Sequence, residues 1–121
     1  MVGVMSWKTI RLELARGAKG AKSSASHAYL LRVPLDEQGL IDPGVVARYP
    51  SQATAGRYWS SEPDQFGRIQ RLDGHWVLRC SGGDGESEFR MPVAPLRLDE
   101  QITLEAPNGT PSVFRVVSIK G

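Results

Sequence analysis

One cysteine, two histidines and no long apolar run limit what this 121-residue chain can be. Cys80 alone cannot close an intramolecular disulfide, and with only His27 and His75 beside it there are too few soft ligands for a structural zinc site. No apolar stretch approaches the roughly 18 residues of a spanning helix. The start, Met1 to Trp7, lacks the basic flank and apolar length of a signal peptide. These absences point to a cytoplasmic protein with no membrane partner. Thirteen Gly and eight Pro stay well below the roughly 25–30% share that marks low-complexity chains, and charge is mixed rather than one-sided, so global disorder is excluded.

What is present suffices for one domain. From a mass of 13.3 kDa, area scaling gives roughly 6,500 Å² of folded surface against roughly 19,000 Å² unfolded, so a core forms without a staple. The net charge is only +2, but it is unevenly spread. Residues 1–32 hold Lys8, Arg11, Arg16, Lys19, Lys22 and Arg32 against the single acid Glu13, and the remainder is net acidic. A basic front third can attract a polyanion, although such runs are more often a solvated face.

Alternation with period two dominates the chain. Ile10, Leu12 and Leu14 share one face of a strand over residues 7–14, and Tyr29, Leu31 and Val33 do so over 27–33. Between them, Arg16 to Ser26 is rich in Gly, Ser and Lys and reads as a mobile loop. Asp42 and Pro43 supply an N-cap and a first helical position, and Pro50 forbids continuation, which predicts one short helix near residues 43–49. Residues 53–60 read as a strand, Glu62 to Gly67 as a turn, and Ser81 to Ser87 as a Gly-rich acidic loop. Phe89, Met91 and Val93 alternate next, with Pro92 and Pro95 marking an edge or a bend.

Two hairpins stand out. Asp73-Gly74 lies between Arg68–Leu72 and His75–Cys80 and supplies the two positive-φ positions of a type I′ turn. That turn sets the register: Leu72 faces His75, Arg71 faces Trp76, Ile69 faces Leu78 and Arg68 faces Arg79. Asn108-Gly109 sits at the tip of a second hairpin, between Ile102–Ala106 and Val113–Ile119. The predicted fold is all-β and mostly antiparallel, a small β-barrel or two-layer sandwich of about eight strands, because closure removes exposed edges.

Lys8-Thr-Ile-Arg-Leu-Glu-Leu-Ala-Arg16, Pro34-Leu-Asp, Arg57-Tyr-Trp59, Gly74-His-Trp76 and Phe114-Arg-Val-Val-Ser-Ile119 together resemble, in order along nearly the whole chain, a family of small uncharacterised bacterial proteins. The resemblance implies no nameable activity. Its members begin close to Lys8, which implies that residues 1–6 are a flexible extension or a misplaced start and 7–121 a single β-rich domain.

Three motifs have a superficial claim to chemistry. Gly17-Ala-Lys-Gly-Ala-Lys22-Ser23-Ser24 comes after a strand but has Ala21 and Arg16 where a phosphate-binding loop needs glycine. Cys80 and His75, five residues apart on one strand, point to opposite faces about 16 Å apart and form no dyad. Asp84, Glu86 and Glu88 lack the ligand series of a calcium loop. No catalytic residue, metal ligand or cofactor is therefore assigned, and an enzyme is the least favoured class.

Arginine beside tryptophan is the remaining constellation. Arg57 shares a face with Trp59, and Arg71 lies across from Trp76 on the face of Ile69, Leu78 and Cys80. An inward arginine in a barrel either reaches the rim over an aromatic ring or binds an anion. Arg68 opposite Arg79 is a like-charge pair that a bound anion or Glu62, Asp64 or Glu88 would relieve. The candidate binding residues are thus Arg57, Trp59, Arg71, Trp76, Arg68 and Arg79. The leading reading is a non-catalytic module that binds a small anionic ligand or an acidic peptide. Single-stranded nucleic-acid binding comes next, weakened by the acids beyond residue 32, and then a structural or assembly role through a sheet edge.

Overall fold

Strand alternation carries through to the tertiary structure, a computed structural model that describes residues 5–16 and 22–121. Eight strands, β1 (Ser6–Arg16), β2 (Lys22–Leu35), β3 (Thr54–Trp59), β4 (Gln65–Leu72), β5 (His75–Gly82), β6 (Gly85–Met91), β7 (Gln101–Glu105) and β8 (Pro111–Lys120), close in sequence order into an antiparallel barrel. Each strand turns its apolar residues inward. Ile10, Leu12, Leu31, Val33, Ile69, Leu78, Leu104, Phe114 and Val116 form the core, and Arg11, Arg32, Arg68 and Arg79 face out.

Helix α1 (Pro43–Arg48) comes after β2 as expected, with the Asp42 carboxylate accepting from the amides of Gly44 and Val45. Leu35 bridges to Ile41, and Leu96 N–H donates to the Gly39 carbonyl. These contacts place α1 and the segment around Leu96 at the barrel end where β1 begins. The opposite end carries Trp59, Gln65 and the β5–β6 turn.

The β4–β5 register is the one that the turn residues dictate, from Leu72↔His75 out to Arg68↔Arg79. Asp73 at φ 50 and Gly74 at φ 82 occupy the two primed positions. No atom outside the local chain lies within 4 Å of a Cβ built on Gly74, so backbone strain alone sets the cost of a side chain there. Gly74→Val should therefore lower stability by about 1–2 kcal/mol in urea unfolding, the cost of forcing a β-branched residue to positive φ. An unchanged midpoint would refute the primed turn.

Three expected loops are strands. Lys22 to Ser26 belongs to β2 and pairs with the end of β1, Leu14 with Ser24 and Arg16 with Lys22, across a bulge at Glu13/Leu14. Main-chain ladders are indifferent to small polar side chains, and the Ser24 and Ser26 hydroxyls bond each other at 2.8 Å. Residues 17–21, the other part of that loop and most of the phosphate-loop comparison, lie outside the described residues, as do residues 1–4. Ser6 already pairs with Leu35, so β1 reaches back into the expected extension. Gln65 to Gly67 opens β4. Ser81 to Ser87 is a tight hairpin, with Gly82 opposite Gly85 and Gly83 at φ 60 as the first central residue.

One seam is thin. β6 pairs with β7 at a single position, Arg90↔Glu105, whereas its other edge pairs with β5 at seven. From Gly85 to Phe89, β6 has no ladder partner in β7, which ends at Glu105.

Candidate functional site

The strand registers bring five polar side chains to one level of the barrel interior. Tyr29 on β2 is the direct cross-strand partner of Arg57 on β3, which in turn partners Gln65 on β4. One step further, Cys80 on β5 partners Ser87 on β6. Tyr29, Arg57, Gln65 and Cys80 are all buried, Arg57 to 7% exposure and Tyr29 to none. A cleft of about 720 Å³ lies beside this region, lined on its inner side by Arg57, Cys80, Ser87 and Phe89 and on its outer side by residues that include Arg68, Arg79 and Glu88; Tyr29 and Gln65 lie behind its lining.

The hydrogen bonding is incomplete in a specific way. The Ser87 hydroxyl donates to Gln65 Oε1 at 2.6 Å, and the Cys80 thiol reaches the Ala55 carbonyl at 3.7 Å. Arg57 Nη2 lies 3.6 Å from the half-exposed Glu62 carboxylate, and its guanidinium carbon sits 4.0 Å from the centroid of the Trp59 ring. Arg57 Nε and Tyr29 Oη, however, are buried without a well-formed hydrogen bond, although Ser87 and Arg57 lie near enough to the phenol to oppose part of its upward pKa shift. Two buried polar groups without a well-formed bond in one cross-strand pair cost stability, since each is only partly compensated for its desolvation.

Aromatic rings pack around these groups. Trp59 makes edge contacts with His27, Tyr29 and Phe89 at centroid separations of 4.9, 5.2 and 6.2 Å, and Phe114 tilts against Tyr29 at 5.8 Å. Burial pushes the Tyr29 phenol far above its ordinary range, the nearby Cys80 adds to that, and the Arg57 charge opposes it. Burial likewise pushes the Cys80 thiol up to about 11 from 9.0, against the pull of Arg57. Tyr29 therefore stays a neutral donor and Cys80 a protonated thiol near neutral pH.

Those raised values fix a pH dependence. Between pH 9 and 11 the unfolded chain releases the Cys80 proton while the folded chain keeps it, so the unfolded state binds fewer protons and stability falls as pH rises. The contribution is fully present below pH 9 and is lost on passing the folded value. Tyr29 continues the trend above pH 10. Stability should fall by on the order of 2 kcal/mol over this window through Cys80, and Cys80→Ala should flatten the decline in urea titrations. Parallel curves for the two proteins would show that the thiol has no part in it.

The six arginine and tryptophan residues singled out from sequence do not meet at one site. Arg57 and Trp59 stack at the cleft end. Arg71 lies six residues along β4 from Gln65, the partner of Arg57, about 20 Å away at 3.3 Å per residue. There Arg71 is exposed and reaches over the buried Trp76 ring, 5.4 Å from its centroid. That pair takes the rim arrangement, its charge in water and its stem on the ring. Arg68 and Arg79 stand opposite each other on the outer face, where they line the outward side of the same cleft. Glu88 relieves Arg79 at 3.5 Å, while Glu62 is committed to Arg57.

Tyr29, Gln65, Ser87, Phe89 and Phe114 were not singled out. A hydroxyl within the inward stripe Tyr29-Leu31-Val33 was the available signal for the first, and Ser87 in phase with Phe89 and Met91 for the third. Gln65 gave none, being placed in a turn. Among the described residues no group of three or more His, Cys, Asp or Glu is arranged to hold a metal ion, and no helix is long and apolar enough to cross a membrane. No protein-family model matches the chain, and no match was found to a curated protein or to a solved structure.

Proposed function

We propose that this chain is a non-catalytic binding module that holds a small anion at Arg57, inside the mouth of the barrel. The observation that carries this reading is the buried Arg57 whose Nε has no partner, beside the equally unpartnered Tyr29 hydroxyl, with an opening of ligand size next to it. A buried cation whose one counter-charge, Glu62, is half-exposed is costly by itself, and an anion that accepts its free N–H offsets that cost. Clefts of roughly 300–1,000 Å³ are the usual size of small-molecule sites, and this one adds Arg68 and Arg79 on its outer side to the charge of Arg57. The same reading keeps the chain a cytoplasmic protein, in line with its single free thiol.

Calorimetric titration with acetate, sulfate, inorganic phosphate and phenylacetate tests it. At least one should bind saturably to the native chain and lose that binding in Arg57→Met. Equal affinity in the two proteins, or no binding by any of the four, would overturn the proposal.

A second reading has one observation in its favour. Arg68 and Arg79 form a like-charge pair on the outer face next to Phe66, which is 58% exposed and packs edge-on against Tyr58. Stacking on such rings beside arginines is how single strands are held without sequence preference. Binding of a labelled oligonucleotide that weakens as salt rises and is lost in Phe66→Ala would favour it. The assembly reading has less support, since barrel closure gives every strand two neighbours.

A further inference from the structure

Beyond the anion site, and without use of Arg57, we infer that the edge of β6 at Glu86 to Glu88 takes up an extended basic peptide as an added strand. The main chain of this edge is unpaired, and its side chains specify what lies well beside it.

Barrel closure gives β6 its second neighbour at one position only, Arg90↔Glu105. Gly82 and Gly85 close the two-residue β5–β6 turn as a bonded pair. By alternation Ser87 and Phe89 also bond to β5, and Glu86, Glu88 and Arg90 turn their N–H and C=O groups to the other side. Arg90 meets Glu105 there. Continuing that register sets Pro107 opposite Glu88, and proline has no N–H to give. It sets Gly109 opposite Glu86, but the Gly109 N–H donates to the Ala106 carbonyl at 2.8 Å within the β7–β8 turn. The Ala106 and Thr110 amides are engaged in the same turn, with the Thr110 carbonyl and Asn108 Oδ1, each at 3.0 Å. No ladder therefore reaches Glu86 or Glu88 from this side. Such an edge accepts the main chain of an extended peptide.

The cleft of about 720 Å³ runs along it. Its lining includes both faces of β6, with Glu86 and Glu88 outside and Ser87 and Phe89 inside, and Pro107 as well.

Charge then selects the occupant. Residues of an added strand stand about 5 Å from their partners on β6, so two of its outward positions face Glu86 and Glu88. Among the described residues Glu86 makes no salt bridge, and Glu88 has only Arg79, at 3.5 Å. Arg79 on β5 and Arg68 on β4 lie one and two strands further off, roughly 10 and 15 Å from the added strand, where salt screens them. Lysine or arginine is favoured at both outward positions. The position between them faces Ser87, whose hydroxyl is already bonded to Gln65, beside the half-buried Phe89, and suits an apolar side chain. The fitting segment reads basic, apolar, basic. A second copy of this chain does not fit, because two such edges paired antiparallel about Ser87 set Glu86 of each against Glu88 of the other, and like charges directly opposite are destabilising.

Fluorescence anisotropy with labelled, end-capped pentapeptides tests this on the native chain. Lys-Val-Lys-Val-Lys should bind saturably, Glu-Val-Glu-Val-Glu at least tenfold more weakly, and the lysine peptide methylated on its lysine amide nitrogens also at least tenfold more weakly, since those N–H groups are the ones that meet β6. Glu86→Lys combined with Glu88→Lys should exchange the preference between the first two. Equal binding of the lysine and glutamate peptides, or no binding of the lysine peptide, would overturn the inference. Undiminished binding of the methylated peptide would overturn strand addition and leave only charge attraction. The three peptides on the native chain decide the matter even where the double variant folds poorly.

Discussion

Gly67→Ala is expected to destabilise the barrel by about 3–4 kcal/mol or to prevent its folding, the largest loss from the addition of one methyl group anywhere on these strands. Gly67 lies on the inward-facing side of β4 opposite Cys80, and there the β4 and β5 backbones approach too closely for a side chain. A Cβ at this position would overlap the Arg79 carbonyl oxygen and sit 2.7 Å from its carbonyl carbon and 2.8 Å from Cys80 Cα. All three are main-chain atoms, so no rotamer change relieves the overlap and the two strands must separate. The separation would also pull Cys80 and Gln65 away from the level of Arg57. Urea unfolding checks this, with Gly109→Ala as a control. Gly109 has φ 86 but open space around it, so its loss should be confined to about 1 kcal/mol. Equal losses in the two variants would mean that the strand approach at Gly67 is not tight.

Arg57→Met separates function from stability. Loss of the buried guanidinium should reduce affinity for an anionic ligand about 100-fold, equivalent to about 2.7 kcal/mol, because a desolvated charge-assisted bond has no substitute in the site. Stability, in contrast, should stay within about 1 kcal/mol of the parent or rise. The methionine fills similar volume against Trp59, and replacing a poorly paired buried charge by an apolar side chain is often neutral or favourable. Glu62, left without its partner, is half-exposed and stays hydrated. Thermal unfolding and ligand titration of the same sample check both halves. A large drop in stability would identify Arg57 as a structural strut rather than a ligand group.

The fold was legible where a residue's local chemistry decides its backbone. Asp73-Gly74 fixed a turn and with it the pairing of Arg71 with Trp76. Asp42-Pro43 placed the helix, and the period-two stripe Ile10-Leu12-Leu14 placed a strand face. The reading failed where the main-chain ladder prevailed over composition. Lys22 to Ser26 carries no apolar signal, yet it is a strand because the end of β1 lies alongside it with unpaired amides and carbonyls. Gln65 to Gly67 and Ser81 to Ser87 failed for the same reason, since glycines that mark a loop in isolation also permit tight hairpins and close strand contact.

Half of the candidate site was legible. Arg57 with Trp59 came from their i, i+2 spacing, and Arg71 with Trp76 from a two-residue turn. Grouping the two pairs into one cavity did not hold, because alternation reports which face a side chain takes and says nothing of its height along the barrel. Arg57, whose partner Gln65 opens β4, and Arg71, near the far end of β4, fall on the same face but at opposite ends of the barrel.

By itself, then, the order of residues determined that this chain forms about eight short antiparallel strands, which side of each is apolar, and which neighbours face each other across the tight hairpin, all consequences of interactions within a few residues. Only the tertiary structure decided that Tyr29, Gln65 and Ser87 converge on Arg57 and that two donors there lack partners. Those meetings depend on the registers of strands joined by long connections and on barrel closure, and both are settled by the packing of the whole core.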